Sequence, residues 1–133
     1  MAGSSLSLAK LARASAVHVA VAFVAMGGWA LFANRAHGSA ALAPALVQGT
    51  ISGLITLVMK RVLEAFCARL NGPLAFVLPP LATASVILAL LISIHRLIGT
   101  PEILATIAVP WSVSTGYAII YAAALRRDTR GRA

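Results

Sequence analysis

The chain is short of acid. It has three acidic residues, Glu64, Glu102 and Asp128, against 11 lysines and arginines. None of the three lies inside a long uncharged stretch. Proton- or sodium-coupled transport usually depends on a carboxylate within the membrane, so that coupling has no obvious carrier here. The single cysteine, Cys67, excludes an intrachain disulfide. A lone thiol is also a poor start for a metal site, and no metal or cofactor is expected. Charged residues make up 11% of the chain, well below the roughly 25% usual in soluble domains. There is no nucleophile elbow, phosphate loop, carboxylate pair or HExxH. The sequence therefore offers no catalytic residues.

What the chain has is four charge-free runs, at 14–34, 36–59, 70–95 and 103–125. A helix needs about 20 apolar residues to cross the hydrocarbon core, and each run is long enough. The expected fold is an all-α integral membrane protein, a compact bundle of four transmembrane helices forming one domain over 1–133. The expected spans are about 15–33, 41–59, 73–94 and 102–125. With alternating crossings, Lys10, Arg13, Lys60, Arg61, Arg69, Arg126, Arg127, Arg130 and Arg132 share one face. Arg35 and Arg96 lie on the other. Basic residues in short loops mark the cytoplasmic side, so both termini are expected inside. The net charge of +8 then needs no nucleic acid, because basic helix ends set topology and touch anionic headgroups. No DNA- or RNA-binding motif is present either.

Lys10 and Arg13 before an apolar stretch imitate a signal peptide. The run exceeds an h-region of about 7–15 residues, and the cleavage motif is poor. The first span is read as uncleaved. A composition rich in Ala, Leu and Arg points to a bacterium and its inner membrane.

Local signals mark the helix ends. Residues 1–12 are expected at the membrane surface or loose. Asn71-Gly72-Pro73 is a stop signal, and the helical pattern runs past Lys60 towards it. Pro79-Pro80 predicts a kink or unwound start in the third span. Thr100, Pro101 and Glu102 predict an N-cap, first residue and first-turn acid for the fourth.

Three residue groups are candidates for function. Ala45, Gly49 and Gly53 repeat every four residues in the second span, a stripe that lets two helices approach closely. Packing against another span of the same chain or a homodimer seam would both use it. Gln48, Ser52 and Thr56 repeat beside it, and Tyr117 in the fourth span is deep enough to need a partner such as Gln48 or Ser52. Arg35, His37, His95, Arg96 and Glu102 gather in two short outer connections. They are candidates for binding an anion or lipid headgroup, with Arg96 as the main contact. The rival reading makes the two arginines plain helix ends.

In size and span count the chain matches two kinds of small membrane protein. Small multidrug exporters depend on an acid in the first span, where this chain offers only His18. Four-span proteins thought to move polyprenyl-phosphate sugars agree in topology, with no motif to match residue by residue. The expected function is an accessory subunit, or part of a lipid- or polyprenyl-linked substrate translocation system. Membrane lipids and a homo-oligomer or larger membrane complex are the expected partners. A stand-alone dimeric transporter or channel is the alternative. A membrane enzyme using the outer His/Arg/Glu cluster comes third.

Overall fold

A computed structural model describes residues 2–130, with side chains placed from Lys10 to Arg127. Arg132 and the side chain of Arg130, both in the basic tally above, lie outside the described residues. The chain forms α1 (Ala2–Ala33), a 3₁₀ segment (Arg35–Ala41), α2 (Leu42–Cys67), α3 (Leu74–Leu97) and α4 (Ile103–Arg130). All four α-helices are long and apolar enough to cross a membrane. α1 begins at Ala2, so the residues before the expected first span continue its helix. α2 runs on to Cys67, where the helical pattern beyond Lys60 pointed.

Both hairpin turns on either side of α3 use a glycine in the left-handed region, Gly72 at φ 67° and Gly99 at φ 67°. Other residues pay a steric cost there. At Gly99 the turn is a Schellman motif. Thr100 N–H donates to His95 O and Gly99 N–H to Arg96 O. That motif brings the side chains of residues 95 and 100 together, where an apolar contact is more usual. Here a histidine and a threonine meet.

α3 is continuous helix through Pro79 and Pro80, so it has no unwound start there. Pro79 has no N–H to give to Ala75 O four residues back. The Cys67 thiol donates to that freed carbonyl at 3.7 Å. Thr83 Oγ1 donates to the carbonyls of Pro79 (2.8 Å) and Pro80 (3.1 Å).

The main pairings are α1 with α2 and α3 with α4. α2 buries the largest share of its apolar stretch, 39%, and α1 the smallest, 11%. Ile51, Met59, Leu63, Ile87, Leu91 and Ile107 fill the centre. Large apolar residues also cover the outside, with Leu104 77%, Ile120 72% and Val24 70% exposed. Helices apolar all round suit a lipid surround.

The α1–α2 contact explains the small-residue stripe. A Cβ on Gly49 would lie 2.8 Å from Phe23 O, and one on Gly27 would lie 2.9 Å from Ala45 O. A Cβ on Gly53 would meet Val19 Cγ1 at 3.1 Å. Ala45, Gly49 and Gly53 thus face α1 of the same chain, and the closest approach is backbone to backbone. This is the geometry that small residues four apart permit.

Candidate functional site

The interhelix contacts sort the bundle into two ends. At the His95 end lie the finish of α1, the start of α2, the finish of α3 and the start of α4. At the Lys60 end lie the early part of α1, the late part of α2 and the late part of α4.

The His95 end is held by buried polar groups. Asn34, fully buried, donates both amide hydrogens, to Ala30 O at 2.9 Å and Thr106 Oγ1 at 2.7 Å. Its Oδ1 accepts the N–H of Glu102 at 3.0 Å. The start of α4 is therefore capped by Asn34, 68 residues away, and not by Thr100. The Thr100 hydroxyl is 2.7 Å from His95 Nδ1, engaged by the turn described above. Asn34→Ala removes the cap on Glu102 N–H. Thr106 keeps its bond to Glu102 O and Ala30 O keeps Asn34 N–H. The expected loss is that of one N-cap, about 1 kcal/mol, read as a small drop in thermal midpoint in detergent.

A second set runs inward from Thr100. His95 is fully buried, and its Nε2 is 2.9 Å from Gln48 Oε1. Gln48 Nε2 donates to Ser52 Oγ at 2.9 Å. An amide oxygen only accepts, so this amide orientation requires a proton on His95 Nε2. The neutral ring then leaves Nδ1 to accept from Thr100. Each polar atom of Gln48 and His95 that can bond in this chain does so. Thr56 Oγ1 donates to Ser52 O at 2.9 Å. Tyr117 is not the partner of Gln48. It stacks on Tyr121 with centroids 5.5 Å apart.

The five residues of the outer cluster therefore take different roles. His95 points into the bundle. Arg35 bonds Phe32 O at 2.8 Å and its guanidinium lies 4.0 Å above the Phe32 ring. His37 Nε2 sits 3.0 Å from Glu102 Oε1, both side chains well exposed, a pair of the kind that contributes about 0–1 kcal/mol. Arg96 is exposed, with no side-chain hydrogen bond among the described residues. The Glu102 amide that an anion would use at the start of α4 already donates to Asn34.

At the Lys60 end a cleft of about 740 Å³ opens between α1, α2 and α4. Away from Lys60 it is lined mainly by apolar side chains, Ala22 and Met26 of α1, Ile55 of α2 and Pro110 and Val113 of α4, with Ser52, Thr56 and Ser114 among them. Its mouth carries Lys60, Arg61 and Glu64, and His18 lines it further in, because its neighbour Val19 packs at Gly53. Among the described residues the one acid there, Glu64, accepts the Tyr121 hydroxyl at 2.7 Å and has Lys60 Nζ at 3.9 Å. Ser52 is the lining residue of α2 furthest along the helix from Lys60 and accepts from Gln48, so the cleft meets the Gln48–His95–Thr100 chain there. Sequence reasoning saw Lys60 and Arg61 only as helix-end charges. It missed Asn34, Thr106 and the cleft, because their partners lie far along the chain. No spacing motif marks them.

Among the described residues, no group of three or more His, Cys, Asp or Glu is placed to hold a metal. No family model, curated protein or solved structure matches this chain.

Proposed function

We propose that this chain takes up a membrane amphiphile in the cleft between α1, α2 and α4. On this reading it acts as an accessory subunit or part of a lipid-linked substrate translocation system. The cleft itself carries the reading. Its charged side chains, Lys60, Arg61 and Glu64, gather at one end and most of the remaining lining is apolar, the polarity order of an amphiphile lying along the membrane normal. Its volume falls within the roughly 300–1,000 Å³ of small-molecule sites. On this reading the basic tally puts the Lys60 end on the cytoplasmic side.

A stand-alone transporter is the second reading. One observation favours it: polar groups continue from Ser52 through Gln48 and His95 to Thr100. A homodimer through the glycine stripe has less to recommend it, because α1 covers that stripe. An enzyme at the outer cluster would need His37 and His95 to converge, and His95 bonds Gln48 inside the bundle.

Native mass spectrometry from mild detergent tests the proposal. Wild type should retain a lipid-sized ligand. Val113→Trp puts an indole into the cleft from a residue 54% exposed, so it should expel the ligand and leave the fold intact. A wild-type chain free of ligand, or a ligand equally retained by Val113→Trp, would remove the basis for this function.

A further inference from the structure

We infer that the cleft selects a single-chain amphiphile with an anionic head, a phosphate monoester or a carboxylate. This rests on the cleft reading above and adds the chemistry of the occupant. The head group is set by charge at the mouth. Lys60 and Arg61 are consecutive on α2, both exposed, and both line the cleft. Against these stands one carboxylate among the described residues. Glu64 is already hydrogen-bonded by Tyr121 and lies beside Lys60, so the mouth has more positive charge than its acid neutralises. An arginine offers a planar fork that matches a phosphate or carboxylate, and a lysine adds a point charge.

Basic residues at a helix end also serve topology, and Lys60 and Arg61 fit that role. What sets them apart from Arg69, Arg126 or Arg127 is position. They rim the same cleft whose apolar depth an acyl chain would occupy. A cationic amphiphile would need Glu64 free of Tyr121 and would face Lys60 and Arg61 together. An uncharged one would leave the surplus charge without a counterion.

The single chain follows from volume. At about 30 Å³ per non-hydrogen atom, the share of a water molecule in the liquid, the cleft of about 740 Å³ holds roughly 25 such atoms. One fatty chain with a small head fills that space. A two-chain phospholipid exceeds it.

The full chain, purified in mild detergent and stripped of lipid, should be titrated with five probes. These are lysophosphatidate, a fatty carboxylate, lysophosphatidylcholine and a quaternary-ammonium amphiphile, all of one chain length, with two-chain phosphatidate as the fifth. The two single-chain anions are expected to bind about tenfold tighter than the zwitterion, the factor that one charge-assisted contact carries. Whichever of the two binds tighter identifies the head. The Lys60→Ala, Arg61→Ala double variant should lose this preference yet still bind the zwitterion. Both residues are exposed, and an unchanged thermal midpoint would show that the fold survives. Equal affinity for the anionic, zwitterionic and cationic heads overturns the head assignment. Two-chain phosphatidate binding as well as the single-chain form overturns the chain assignment. Failure of every probe to bind defeats the cleft reading itself.

Discussion

Gly49→Ile should be among the most damaging single substitutions in the bundle. The added Cβ alone would stand 2.8 Å from Phe23 O and 2.9 Å from the Phe23 ring. A backbone carbonyl cannot rotate aside, so α1 and α2 must separate. Overpacking of this kind costs about 1–3 kcal/mol, and isoleucine should reach the upper part of that range. Gly49→Ala has an offset, since alanine is favoured over glycine inside a helix by about 1 kcal/mol. It should therefore fall nearer 1–2 kcal/mol. Gly27→Ala should behave alike, with Ala45 O at 2.9 Å. Gly53→Ala should be milder, because it meets only a Val19 methyl at 3.1 Å. Gly28→Ala and Gly116→Ala meet nothing within 4 Å and should be neutral or slightly stabilising. Thermal unfolding of this series in detergent checks the order. A flat response across all five positions would mean that the α1–α2 approach is looser than described.

His95→Leu should cost about 2–4 kcal/mol. It orphans Gln48 Oε1 and the Thr100 hydroxyl, both buried, at about 1–3 kcal/mol each. The lower half of that sum applies, because polar groups of an unfolded chain in a membrane find other partners. Gln48→Leu should be comparably harmful, since it strands His95 Nε2. The double variant is the informative case. Replacing both partners of a hydrogen bond by apolar groups can be nearly neutral, so the pair should recover part of the loss. A double-mutant cycle on thermal stability measures this coupling. Strict additivity would indicate that Gln48 and His95 do not act together.

The helices were legible because their signal is local. A run without charge, about 20 residues long, costs little to place in lipid, whatever its neighbours. The stripe of Ala45, Gly49 and Gly53 was legible for the same reason, since residues four apart share one helix face. Which surface would cover the stripe was not. Phe23 and Gly27 of α1 carry no mark that selects α2 over a second copy. His95 shows the limit of neighbour-based grouping. Its chain neighbour Arg96 is exposed, yet adjacent residues on a helix point about 100° apart. One can face the interior while the other faces out. Grouping both with Arg35 and Glu102 by loop therefore placed His95 on the wrong surface of its own helix.

By itself the sequence determined that this chain is four long apolar helices and how charge is shared between the two ends of the bundle. Each of these depends on a residue's own transfer cost and on neighbours within a turn or two. Only the tertiary structure decided that Asn34 caps α4, that His95 is closed in by Gln48, and that α1, α2 and α4 leave a cleft beneath Lys60 and Arg61. Those features join residues 47 to 72 positions apart or arise from the space left between helices. Spacing along the chain records neither the rotation of one helix against another nor the gap between them.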